Sequence, residues 1–163
     1  MGRFFTHYWS YDRNDLEGYV AAGAMMDHTP GSLFVRRGVK AGDFVYVFSV
    51  KRGVLYLLGK LQVGEIVFST HEAEKRLQQD NLWEGPEHLI ASCCTPAQLI
   101  DVPIQVVEKL QFETASGQTT LKFVEPGELD PQTIRGVREL TYDSALELDR
   151  LLPAMEPLSV GKT

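Results

Sequence analysis

The segment Phe44-Val45-Tyr46-Val47-Phe48-Ser49-Val50 constrains the fold more than any other part of the chain. Its even positions (Phe44, Tyr46, Phe48) and its odd positions (Val45, Val47) are both apolar. The strand it predicts must therefore be covered on both faces. Lys51-Arg52-Gly53 follows, with glycine at the expected left-handed turn position. Val54-Leu55-Tyr56-Leu57-Leu58-Gly59-Lys60-Leu61-Gln62-Val63 then returns as the partner strand, and Gly59 marks a bulge or a barrel bend within it.

Around this hairpin the pattern alternates short strands with short helices. Phe4-Phe5-Thr6-His7-Tyr8-Trp9-Ser10 is dense in aromatic and β-favouring residues and reads as a first strand. Residues 16–32 hold Gly18, Gly23, Pro30 and Gly31 and predict a loop with at most one helical turn. Ser32 to Gly38 predicts a short helix ended by its glycine. Ser69-Thr70-His71-Glu72 is a capping box, with a helix expected to about Gln79. Trp83 falls in an acidic loop, and His88 to Ser92 predicts another strand. Pro103 suits the first turn of a short helix, and Thr141 caps a final one carrying Leu146, Leu148, Leu151 and Leu152. The expected architecture is α+β, a small β-barrel with flanking short helices. It spans residues 1–152 as one domain, with 153–163 as a flexible tail. A chain of 163 residues can bury a core of that kind without disulfides or metal.

The formal net charge of -6 argues against bulk binding of polyanions. The charge is unevenly spread, however. Residues 33–62 hold six bases (Arg36, Arg37, Lys40, Lys51, Arg52, Lys60) and one acid, Asp43. Cys93 and Cys94 are adjacent, which is the wrong spacing for zinc, and they read as two reduced thiols. His7, His28, His71 and His88 show no metal-type pairing. No nucleophile elbow, phosphate loop or zinc motif occurs, so no catalytic residue, metal or cofactor is expected. No run of about 18 apolar residues suggests a membrane span. The first residues lack a signal-peptide apolar core, which makes a cytoplasmic location the default.

Tyr8-Trp9-Ser10 on a first strand, then Leu33, Arg36 and Lys40-Ala41-Gly42-Asp43 leading into Val45-Tyr46-Val47-Phe48-Ser49, then Gly59 and Val63, form an ordered series. The series resembles the EVE domain, and more broadly the PUA-like superfamily that also holds the ASCH and YTH domains. Order and approximate spacing agree over about residues 4–67. Asp27-His28-Thr29-Pro30-Gly31-Ser32 stands where EVE domains carry a tryptophan–glycine–valine–arginine–asparagine run. The resemblance implies a PUA-like barrel with an aromatic pocket for a flipped, modified base. ASCH relatives also include small amidohydrolases acting on modified nucleosides.

The candidate ligand-binding residues are Tyr8 and Trp9 for stacking, Ser10, His28, Thr29, Ser32 and Ser49 for base-edge contacts, and Trp83 to close the pocket. Neighbours on a strand face opposite ways, so one of Tyr8 and Trp9 is expected to face away. Arg36, Arg37, Lys40, Lys51 and Arg52 are the candidates for phosphate contact, although a solvated basic face is the alternative. Arg135 and Arg138 could join that patch, and pairing with Glu139 and Asp130 is the favoured reading. The expected function is a non-catalytic module that binds DNA or RNA carrying a modified base. The alternatives are an ASCH-like amidohydrolase, with Lys40, Lys60, Glu65 and Thr6 as candidates in type, or a module for a peptide or metabolite.

Overall fold

The computed structural model describes residues 2–12 and 14–158. Along the chain run β1 (Phe4–Tyr8), α1 (Leu16–Ala21), β2 (His28–Gly31), β3 (Phe44–Lys51), β4 (Val54–Val67), α2 (Thr70–Leu77) and β5 (Glu87–Cys94). There follow β6 (Ile100–Asp101), α3 (Ile104–Val107), β7 (Gln111–Thr114), β8 (Gly117–Thr120), β9 (Phe123–Glu125) and β10 (Glu128–Leu129). A 3-10 turn (Pro131–Ile134), β11 (Val137–Leu140), α4 (Tyr142–Asp149) and β12 (Glu156–Pro157) complete the order. The fold is α+β: one large sheet with a few short helices. Of the expected tail, Glu156–Pro157 pairs with Cys94 and Cys93, and residues 159–163 lie outside the described residues.

The sheet has ten strands, in the path β12-β5-β4-β3-β1-β11-β7-β8, with β2 also on β5 and β6 on β4. Among the described residues only β1 and β3 run parallel, and every other pairing is antiparallel. Among the described residues no hydrogen-bonded ladder closes this path into a barrel.

The β3–β4 hairpin lies at the centre of the sheet. Its two-residue turn puts Arg52 at φ 53° and Gly53 at φ 76°, so both central positions are left-handed, not the glycine alone. Gly59 does mark a bulge: Val47 opposes Gly59 and Phe48 opposes Leu57, leaving Leu58 extra. A Cβ at Gly59 would lie 2.8 Å from Thr95 Oγ1. Both faces of β3 are covered, as its composition requires. Val45 and Val47 join a core with Phe5, Trp9, Met26 and Leu89. Tyr46, Phe48 and Val50 join a second core with Phe112, Leu140 and Leu148.

Two local expectations change. Residues 28–31 form a strand despite Pro30 and Gly31. The strand lies on an edge and pairs only with β5, where proline costs no ladder bond on its free side. Ser32 to Gly38 makes a turn and no helix. The Phe34 and Val35 amides donate to the Glu87 carboxylate, at 2.8 and 3.3 Å, and the turn closes with the Arg37 amide on the Leu33 carbonyl at 2.9 Å. Gly38 still ends the segment at φ 88°. The two capping motifs hold: Ser69 accepts from the Glu72 amide and Thr141 from the Ser144 amide.

Helix α4 is tied to the sheet through one carboxylate. Asp149 Oδ1 accepts from Tyr46 Oη at 2.7 Å and from Lys60 Nζ at 2.9 Å. Lys60 is therefore buried beneath the helix and is not part of any surface patch. Asp149→Ala strands the buried ammonium and should cost about 2 kcal/mol, less than a fully buried pair because Asp149 is partly exposed. The apolar double variant K60M/D149L should recover most of that loss in urea denaturation.

Candidate functional site

Strands β1 and β2 share no ladder, yet their side chains meet. Thr29 Oγ1 accepts from the Trp9 indole N–H at 2.7 Å and lies 2.9 Å from His7 Nδ1. A hydroxyl carries one proton. Its oxygen has two lone pairs, so it accepts from Trp9 and shares a hydrogen bond with His7 Nδ1, while the Pro30 carbonyl lies 3.4 Å away as a further acceptor. Burial pushes the His7 pKa down to about 4, which keeps the ring neutral near neutral pH. Thr29 is fully buried, so its hydroxyl acts as an internal tie.

Beside this tie three rings converge. Trp9 meets Trp83 edge to face at 4.9 Å and Tyr19 edge to face at 5.5 Å, while Tyr19 and Trp83 are tilted by 36° at 5.7 Å. They border a cavity of about 400 Å³ whose lining also includes Asp27, His28, Gln79 and Asp80. Tyr19 is fixed by its hydroxyl, which donates to the Met25 carbonyl at 3.0 Å. Trp83 is on the loop after α2. That loop is pinned by Gln79 donating to Asp27 Oδ2 (2.8 Å), by Thr70 donating to Glu84 (3.0 Å) and by the Leu82 amide on Glu74 (3.3 Å). Trp9 is 4% exposed, whereas Trp83 is half-buried. The ring faces open to a ligand are therefore those of Trp83 and Tyr19.

The cavity wall is acidic. Asp27 and Asp80 line it, and no lysine or arginine does. Burial raises the Asp27 pKa, with the Gln79 hydrogen bond opposing. His28 Nδ1 lies 4.0 Å from Asp27 Oδ1, but burial and then His88 push the His28 pKa down to about 4, so this is no ion pair near neutral pH. His28 and His88 stack in parallel at 5.6 Å. His88 Nε2 faces the Gly85 carbonyl at 3.1 Å, which requires the proton on Nε2. Its Nδ1 is buried without a partner, as is His28 Nε2.

A second cleft of about 710 Å³ is bordered by Tyr8, Trp9, Ser10, Trp83, His7 and Arg135. Tyr8 packs against one core and Trp9 against the other, yet both reach this cleft. Tyr8, Trp9, Ser10, His28 and Trp83 thus come together around the two cavities. Ser32 is exposed elsewhere, and Ser49 is fully buried on β3 with no partner for its hydroxyl.

The basic stretch disperses. β3 is about 25 Å long at roughly 3.3 Å per residue, and it separates Lys40 from Lys51 and Arg52. Lys51 lies over the Tyr11 ring and 3.4 Å from Asp12. Arg52 borders a cleft of about 520 Å³ with Tyr8 and Arg135. Arg36 and Lys40 are exposed, and Arg37 borders a different groove with Arg135 and Arg138. The expected pairing of Arg138 with an acid does not occur. Glu139 is taken by Arg3 at 2.6 and 3.0 Å, and Arg138 Nη1 donates to the Thr133 carbonyl instead, at 2.6 Å.

Nothing in the sequence singles out Tyr19 or Gln79 for this cavity. For Asp27 the only hint is its position next to His28-Thr29. Of the amidohydrolase candidates, Thr6 and Lys60 flank Tyr46 on adjacent strands, but Lys60 is held by Asp149 and Glu65 by Arg76 at 3.2 Å. Cys94 is a buried free thiol whose pKa burial pushes up to about 12. Among the described residues no cluster of His, Cys, Asp and Glu suits a metal, and no helix is long and apolar enough to cross a membrane. Compared with known proteins, the chain matches no family model and no curated sequence.

Two outcomes are expected. Thr29→Val leaves two buried ring nitrogens unpaired and should cost about 2–4 kcal/mol, while Thr29→Ser should restore most of it in urea denaturation. His7, His28 and His88 all have folded pKa values below the unfolded one, so they bind protons more readily when unfolded. Stability should fall as pH drops from about 6.5 towards 4, by on the order of 3 kcal/mol each for His7 and His28. The raised Asp27 pKa opposes this weakly. A flat stability profile across that range would contradict neutral buried imidazoles.

Proposed function

We propose that this protein is a non-catalytic nucleic-acid-binding module that holds one base, in DNA or RNA, in the aromatic cavity. In this reading the domain is PUA-like and related to EVE domains, and the seam between β1 and β2 is closed by the Thr29 side-chain bonds instead of a ladder. One observation carries the reading: Trp9, Tyr19 and Trp83 converge beside the Asp27 carboxylate on a cavity of about 400 Å³.

The ring geometry limits how a base can enter. A base sandwiched between two rings needs them about 7 Å apart, two van der Waals layers of roughly 3.5 Å. The rings here lie 4.9 to 5.7 Å apart and mostly edge to face. The base therefore stacks on one open face, that of Trp83 or Tyr19, with Trp9 behind it. A carboxylate accepts from N–H donors and repels carbonyl oxygens. Asp27 thus favours a base edge with an exocyclic amino group, such as cytosine or adenine. A methyl group on that base adds apolar contact with Met25 and Leu82, which also border the cavity.

Calorimetric titration with free nucleosides tests the reading. Cytidine or adenosine should bind more tightly than uridine, and the base-methylated forms more tightly still. Trp83→Ala should weaken binding about tenfold or more, the usual worth of one stacking ring. Asp27→Asn should erase the preference over uridine. Absence of saturable binding by every nucleoside would rule out the base pocket.

A further inference from the structure

A second surface deepens this reading and rests on it. β11 pairs with β7 only at Glu139–Glu113 and Leu140–Phe112. Past that point the strand and the β7–β8 hairpin separate and leave a groove of about 810 Å³. Arg37, Lys122, Arg135 and Arg138 border it, each from a different part of the chain except the last two. Among the described residues none of the four has a carboxylate within ion-pair distance.

Three acids also border the groove, and none lies within ion-pair distance of these cations. Glu139 is held by two bonds from Arg3, and Asp130 caps the 3-10 turn by accepting from the Gln132 amide. Glu113 is exposed across from Glu139. Arg138 is anchored in place: its guanidinium lies 4.2 Å from the Phe112 ring centre and donates to the Thr133 carbonyl. Burial and then the nearby Arg37 lower the Arg138 pKa, the expected response of a cation facing a like charge. Two guanidiniums that border one groove, neither with a carboxylate within ion-pair distance, gain by binding an anion there.

The groove and the aromatic mouth meet at Arg135. Arg135 borders both the groove and the cleft of Tyr8, Trp9 and Trp83, and its guanidinium lies 5.8 Å from the Tyr8 ring centre. An isolated phosphate would need no such junction, whereas a chain of phosphates leading away from a held base does. We propose that this groove carries the phosphodiester backbone of a single-stranded nucleic acid. Arg37 and Arg138 grip one phosphate, and Arg135 holds another nearer the aromatic cavity. The backbone grip is then built from β11, the Leu33–Gly38 turn and the β7–β8 hairpin, not from Lys51 and Arg52.

An abasic phosphodiester oligomer with a fluorescent label separates this proposal from the base pocket, because it has no base to offer. The wild-type protein should bind it at low salt, with affinity falling as salt rises. R37Q/R138Q should weaken binding about tenfold and make the log–log salt slope shallower by roughly 0.7 for each phosphate left unneutralised. R37Q alone should show part of that weakening. Arg37 is exposed and partnerless, so its variant does not act through misfolding. K51Q/R52Q should bind as the wild type does. The proposal is overturned if the wild type ignores the abasic oligomer, if R37Q/R138Q binds it unchanged, or if K51Q/R52Q no longer binds it. Full displacement by inorganic phosphate at equal total phosphate would also overturn it, in favour of a small-anion site. Nucleoside binding without oligomer binding would leave the base pocket standing and remove the groove. Oligomer binding without nucleoside binding would do the reverse.

Discussion

The Thr29 hydroxyl joins two strands that no ladder connects. β1 is reached through β3, and β2 through β5, and between these arms lies the long bulged β4. Trp9 and His7 from one arm meet Thr29 from the other within 2.7 and 2.9 Å. The first core, with Phe5, Met26, Phe34 and Leu89, lies between them. Everything proposed for ligand binding is arranged on this junction. It orients the Trp9 ring, against which Tyr19 and Trp83 rest, and it sets β2 so that Asp27 and His28 border the cavity.

The junction also explains why Trp9, the first aromatic residue one would pick for stacking, is poorly placed to stack. Its indole N–H is spent inside the protein and the ring is nearly fully buried. Trp83 lies on a loop with no strand to shield it, and its position is set by polar contacts to α2. Burial and exposure thus divide the aromatic set into one supporting ring and two ring faces that a ligand can reach. The surrounding acids and buried neutral imidazoles make that cavity hospitable to hydrogen-bond donors. The cations gather outside it, along Arg135 and Arg138.

Much of the secondary structure was legible because its causes are local. The doubly apolar β3, the glycine at its turn, and the caps at Ser69 and Thr141 each express a rule about neighbouring residues. The misses had non-local causes. Ser32 to Gly38 remains a turn, fastened through its Phe34 and Val35 amides by Glu87 from far along the chain. His28 to Gly31 is a strand because β5 offers an edge. Arg138 is not paired with an acid because Arg3 reaches Glu139 first. The contiguous run of bases from Arg36 to Lys60 is not one patch, since β3 separates Arg36, Arg37 and Lys40 from Lys51 and Arg52, and Asp149 holds Lys60 beneath α4.

The chain by itself determined that Phe44–Val63 would form a hairpin whose first strand is covered on both faces, and that the domain would be α+β. Those follow from hydrophobic pattern and turn chemistry, which act over a few residues. Only the tertiary structure decided which rings face outward, that Tyr19 and Asp27 complete the cavity, and which arginines remain without acids. Each of these is a competition between partners distant in sequence for one hydroxyl, one carboxylate or one covered face. Such a competition is settled only when the sheet brings the partners together.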